Sequence, residues 1–145
     1  MAPTSPPARI LIVEDEWIIA AALQLRVSRM GHTVVATASS GREALEKAAT
    51  LRPDVVLMDV KLRGAMDGVE AGTSVQSRLG IPVVYLTAYS EADILARLQG
   101  SRPGGVLRKP FTIDTLQPVL EEILFRQRAA GPPPSSSATG PTTCT

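Results

Sequence analysis

Short runs of aliphatic and β-branched residues alternate five times with stretches of helical spacing, and no other feature constrains the fold of this chain as strongly. The runs are Ile10–Val13, Thr33–Ala38, Val55–Met58, Val83–Leu86 and Gly105–Arg108. Most are apolar throughout rather than alternating, which is the pattern of strands buried on both faces. Between them lie helical stretches. Trp17–Met30 places Ile19, Leu23, Val27 and Met30 on one face, and Gly31 is its natural stop. Gly41–Leu51 follows Ser39 and Ser40, either of which can cap it, with Glu43 in the first turn. Asp67 caps a third helix running to about Leu79, where Gly80-Ile81-Pro82 breaks it. A shorter helix spans Glu91–Gln99. Thr112 caps the last, whose apolar face carries Leu116, Leu120 and Leu124. Pro118 inside it predicts a local kink, or a helix regular only after Thr115. Strict strand-then-helix order implies a parallel sheet with right-handed crossovers and helices on both faces.

Such an α/β domain fits the length and composition. A 145-residue chain with 44% hydrophobic residues can bury one ordinary core. The ordered domain is expected over 9–130. A Pro-rich arm (1–8) and a Pro/Ser/Thr-rich tail (131–145) flank it and read as disordered. The net charge of +1 gives no argument for a nucleic-acid or membrane surface, and 3% aromatics offer no base-stacking platform. The 15 residues after Ala130 carry no Lys or Arg, so no DNA-binding domain is expected there. Cys144 is the only cysteine, which leaves neither an internal disulfide nor a zinc cluster. No apolar stretch approaches the roughly 20 residues that span a bilayer, and the N-terminus lacks a signal-peptide core. A cytoplasmic protein is the reading. Trp17 is expected to be a partly buried packing residue and His32 a surface turn residue.

The runs end on chemistry. The first ends on Glu14 and Asp15, the third on Asp59, the fourth on Thr87 and the fifth on Lys109. In a parallel sheet these ends share one edge, the edge where open α/β sheets bind ligands. Three carboxylates in one cleft raise each other's pKa unless a cation joins them. Oxygen ligands without His or Cys select a hard ion, Mg²⁺ or Mn²⁺. A carboxylate beside such an ion can attack phosphorus and form an acyl phosphate. A lysine and a hydroxyl then suit the phosphoryl oxygens.

The order Glu14-Asp15, Asp59, Thr87-Ala88, Lys109-Pro110-Phe111 resembles the receiver domain of two-component response regulators, over roughly Arg9 to Arg128. The resemblance implies a flavodoxin-like (βα)5 three-layer sandwich with strand order 2-1-3-4-5. It implies phosphorylation of Asp59 by a sensor histidine kinase or a phosphotransfer protein. It implies Mg²⁺ held by Asp15, Asp59 and the backbone carbonyl of Lys61, with Glu14 acting through water. Thr87 and Lys109 would contact the phosphoryl group, and Lys109-Pro110 would be a cis peptide. The chain's own chemistry would be limited to accepting and losing that group. The signal would pass to a downstream target protein, through the face made by the fourth helix, fifth strand and fifth helix. Dimerisation through the last helix is left open.

Three departures separate the chain from the usual receiver. Val106 stands where an aromatic normally lies three residues before the lysine, so the switch region is reduced to Ala88, Tyr89 and Val106. The loop after Asp59 resembles a subgroup with an LRG.MDG pattern. Lys61 and Tyr89 flank the site and predict a long-lived phosphoryl state. Two other readings compete. One is a phosphorylation-independent interaction module of the same fold, motivated by Val106. The other is a flavodoxin-like cofactor enzyme, disfavoured because acids rather than a Gly-rich loop follow the first strand.

Overall fold

A computed structural model describes residues 7–62, 64–88, 91–98 and 104–129. Five strands form one parallel sheet: β1 (Arg9–Val13), β2 (Thr33–Ala38), β3 (Val55–Asp59), β4 (Val83–Thr87) and β5 (Gly105–Arg108). Their order is β2-β1-β3-β4-β5, as expected. Five helices connect and follow them: α1 (Trp17–Arg29), α2 (Gly41–Leu51), α3 (Gly68–Ser74), α4 (Glu91–Leu98) and α5 (Ile113–Ala129). Alternate strand residues feed two cores, because strand side chains point to opposite faces in turn. Leu11, Val13, Val56, Met58, Val83 and Tyr85 pack under α2, α3 and α4. Ile10, Ile12, Val55, Leu57, Val84 and Leu86 pack under α1 and α5. Chain order reverses between β1 and β3, which opens a crevice at their carboxyl ends.

Polar side chains fix where the helices start. Ser40 Oγ accepts from the Glu43 amide at 3.1 Å and caps α2. Glu43 reaches back to the Ser39 amide at 2.8 Å and lies 2.9 Å from Lys47 Nζ. Asp67 and Glu70 form a reciprocal capping box on α3. The Ser39 amide first, and then Lys47, hold the Glu43 carboxyl down at about 2. A depressed carboxyl adds stability above its unfolded pKa, near 4.5, which is lost as pH falls through about 2. The side chain is 36% exposed, so solvent screens much of this. Glu43→Ala should therefore cost about 1 kcal/mol at pH 7 and visibly less at pH 3. Urea unfolding at the two pH values checks it; a cost that grows in acid would contradict this account.

The structure corrects several expectations. Ala8 does not belong to a loose arm. It is fully buried, its carbonyl accepts from the Thr33 amide at 2.8 Å, and its amide donates to His32 Nδ1 at 3.0 Å. His32 is accordingly buried rather than a surface residue. Trp17 is 79% exposed, because the buried stripe of α1 runs through Ala20, Leu23 and Val27 and turns Trp17 outward. The third helix does not stay α-helical to Leu79; it ends at Ser74 and continues as a π turn over Val75–Leu79. Gln76, inside that turn, accepts from the amides of Val83 and Gly104, tying the turn to the starts of β4 and β5. Helix α5 is already helical at Ile113, before Thr115, with Pro118 inside it. The proline lies in the second turn and removes only the bond to the Asp114 carbonyl. Gln99, Arg63 and the residues before Pro7 and beyond Ala129 lie outside the described residues.

Candidate functional site

Each site side chain is carried by the end of a buried strand. The β1 ladder continues to the Glu14 amide, which donates to the Ala38 carbonyl at 2.9 Å. The β3–β4 ladder continues to the Val60 amide, which donates to the Leu86 carbonyl at 3.1 Å. The Lys109 amide donates to the Thr87 carbonyl at 2.7 Å, and the Lys109–Pro110 bond is cis. The backbone therefore holds the strand ends in one plane and commits them to one cavity of about 570 Å³. Asp15, Asp59, Lys61, Thr87, Ala88 and Lys109 are among its lining residues.

Charges converge there. Lys109 Nζ lies 3.3 Å from Asp59 Oδ1 and 3.9 Å from Glu14 Oε1. Carboxylate oxygens of Glu14, Asp15 and Asp59 all lie within 4.8 Å of one another. Glu14 and Asp59 are buried, whereas Asp15 is half-buried toward the cavity. Glu14 Oε2 accepts from the Glu16 amide at 3.1 Å, but among the described residues buried Oε1 has no hydrogen-bond partner. Burial pushes the Glu14 carboxyl up to about 7, opposed by the Glu16 amide and reinforced by the charge of Asp59. An all-oxygen cluster with an orphaned, buried carboxylate oxygen fits a hard divalent cation, so this acidic pocket can hold Mg²⁺.

Most expected site residues meet here: Glu14, Asp15, Asp59, Lys61, Thr87, Ala88 and Lys109. The Lys61 amide donates to Asp59 Oδ1 at 3.3 Å. Val106 is not in the cavity. It is half-buried in β5, in register with Tyr85 of β4, and packs on the α2–α3–α4 side of the sheet. Tyr89 lies outside the described residues.

Three supporting residues had no local signal or a weak one. Gly68 opens α3 directly against Asp59; a Cβ there would sit 2.0 Å from the Asp59 carbonyl oxygen. In the sequence it closes the LRG.MDG loop pattern, but nothing in that pattern shows its contact with Asp59. Asp67, the α3 cap, pairs with Arg97 of α4 at 2.6 Å. Arg26 of α1 donates to the Phe111 carbonyl at 3.3 Å and steadies the turn after Lys109. The two partnerships span 30 and 85 residues, beyond any helical or turn spacing.

Comparison with known proteins agrees with the geometry. The family model of the response regulator receiver domain matches residues 10–121. The transcriptional regulatory protein PdtaR of Mycobacterium tuberculosis is 38% identical over 84% of this chain and 59% of its own length. The phyllosphere-induced regulator PhyR of Methylorubrum extorquens is 32% identical over 83% of this chain and 45% of its own. The chain thus spans about half the length of the curated relatives it matches. Among solved structures, the signal receiver domain of a modulated diguanylate cyclase from Desulfovibrio desulfuricans G20 superposes with a TM-score of 0.78. That pair is 31% identical and covers 86% of this chain and 98% of the other. The response regulator PhyR from Brucella abortus gives 0.72 at 30% identity, covering 92% of this chain and 52% of that one. Among the described residues no helix is long and apolar enough to cross a membrane. With its sheet order, its acidic crevice and these matches, the chain belongs to the response regulator receiver domain family of two-component signalling.

Proposed function

We propose that this receiver accepts a phosphoryl group on Asp59 from a phosphohistidine of a sensor kinase or phosphotransfer protein, in the cytoplasm, and signals by binding a target protein. A carboxylate oxygen of Asp59 attacks phosphorus, the donor's P–N bond breaks, and its electron pair stays on the departing imidazole nitrogen. Lys109 supplies positive charge beside Asp59, and the Thr87 hydroxyl offers a hydrogen bond from the facing strand. Glu14, Asp15, Asp59 and the Lys61 backbone would hold Mg²⁺, which neutralises charge on the phosphoryl oxygens when bound. The observation that carries this reading is the placement of Lys109 Nζ 3.3 Å from Asp59 Oδ1 beside the acid cluster. Water attacking the acyl phosphate would end the signal, and that is all the covalent chemistry assigned to the chain.

Intact mass after incubation with acetyl phosphate and Mg²⁺ tests this. One added phosphoryl group is expected in the wild type and none in Asp59→Asn. A folded wild type that gains no mass would overturn it. Val106 supports a second reading, a module that binds its partner regardless of phosphorylation, since an aliphatic side chain in that position has no polar tip to follow the site. Equal partner affinity for wild type and Asp59→Asn, with and without phosphodonor, would favour that reading.

A further inference from the structure

Tyr85 is fully buried in β4, two residues before Thr87 and therefore on the same face of the sheet. Among the described residues its hydroxyl makes no well-formed hydrogen bond, although the Thr73 side chain lies close enough to oppose the rise in its pKa. Burial pushes the phenol up to about 12, so it stays neutral and keeps its proton to donate. Thr73, Asp67 and Arg97 are close enough to perturb it. An unpaired buried hydroxyl is unfavourable, and a state that pairs it gains over one that does not.

Helix α3 lies directly over this group. A Cβ on Gly72 would meet the Tyr85 hydroxyl at 2.2 Å, and a Cβ on Gly68 would meet the Asp59 carbonyl oxygen at 2.0 Å. Residues four apart share a helix face. At these two glycines the sheet-facing side of α3 brings its backbone against the Asp59 backbone and the phenol, with Val69 and Ala71 buried beside them. Its far end is the π turn Val75–Leu79, a wider turn in which a helix can take up a change of register. Its near end is Asp67, paired with Arg97 of α4.

We propose that α3 is the moving part of this receiver: a phosphoryl group on Asp59 shifts α3 over its two glycine contacts, pairs the Tyr85 hydroxyl with a polar group of α3, and carries the Asp67–Arg97 pair and α4 along. The proposal rests on the phosphorylation of Asp59. It moves the output from β5, where Val106 has no hydroxyl or ring to respond, to an aromatic on the neighbouring strand in register with it. Thr73 and the Asp67 carboxylate are the acceptors within α3 and its cap that the phenol already senses.

Hydrogen exchange read by mass spectrometry tests this, on protein whose phosphorylation is scored separately by intact mass. Phosphorylation of the wild type should change exchange at least fivefold in peptides covering 68–79 and 91–98. Tyr85→Phe, phosphorylated to the same extent, should lose half or more of that change, because the ring remains but the hydroxyl does not. Arg97→Ala should keep the response of 68–79 and lose that of 91–98. Phosphorylation that leaves 68–79 unchanged overturns this inference and spares the role of Asp59. An unchanged response in Tyr85→Phe overturns it equally. A wild type that takes up no phosphoryl group overturns the reading of Asp59 itself, and this inference with it.

Discussion

Gly68→Ala should cost about 3 kcal/mol or more and also disable the site. The added methyl meets backbone on every side: the Asp59 carbonyl oxygen at 2.0 Å, the Asp59 carbonyl carbon at 2.8 Å and Val60 Cα at 2.7 Å. Overpacking typically costs 1–3 kcal/mol when side chains can give way; here none stands in the way to move. Either α3 lifts or the end of β3 bends, and Asp59 rides on that end. Of the roughly 5–15 kcal/mol that stabilises a domain of this kind, this is a large share. Urea unfolding should show the loss. Phosphoryl uptake should fall at least tenfold even where the variant is folded. Gly72→Ala is the informative contrast. Its methyl meets the tip of the Tyr85 ring, so a double-mutant cycle with Tyr85→Leu should show a favourable coupling. Gly68→Ala should show none. A Gly68→Ala variant of wild-type stability and uptake would mean that α3 does not rest on Asp59.

The second large effect is a dependence of stability on pH that a divalent cation removes. Glu14 is buried and its carboxyl is pushed up from 4.5 to about 7, chiefly by burial. Between those values the folded chain holds a proton that the unfolded chain has released. The stability from that proton is complete below about 4.5 and is lost as pH rises through about 7. The loss in the metal-free protein should be on the order of 2–3 kcal/mol. Mg²⁺ favours the ionised acids, so it should restore stability at pH 8 and do little at pH 5. At a hundred times its dissociation constant it would add about 2.7 kcal/mol. Unfolding midpoints with Mg²⁺ or EDTA at the two pH values measure this, and Asp15→Asn should blunt the gain. Exposed Trp17 borders the same acids, in a groove shared with Glu14 and Asp15, so its fluorescence offers a second readout. Midpoints indifferent to Mg²⁺ at pH 8 would count against a metal site.

The three central strands were the most legible, because a parallel strand buried on both faces leaves an unbroken apolar run, and a charge can follow such a run only where it stops; β2 and β5, at the sheet edges, are half-buried and their runs are mixed. Asp59 after Val55–Met58 and Glu14 after Ile10–Val13 obey that rule. What escaped depends on partners distant in sequence. Ala8 follows two prolines and looks like linker, yet His32, 24 residues on, gives its amide an acceptor and lets it be buried. Trp17 read as a partly buried packing residue, but the buried face of α1 is set by small Ala20 and by Leu23 and Val27. The π turn has no signature in propensity. It goes with Gln76 accepting from the Val83 amide of β4 and the Gly104 amide just before β5, a contact no helical spacing predicts.

The sheet also decides how the molecule can be held. β1 starts at Arg9, bonded to Asp54 just before β3, and α5 runs down to Arg126 and Gln127 beside Pro82 and Gly104, where β4 and β5 begin. Both ends of the described chain thus leave from the rim opposite Asp59. A dye or a surface linker attached at Arg9 or Gln127 would leave the acid crevice facing solution. Immobilised molecules should therefore meet soluble phosphodonors as freely as untethered ones do.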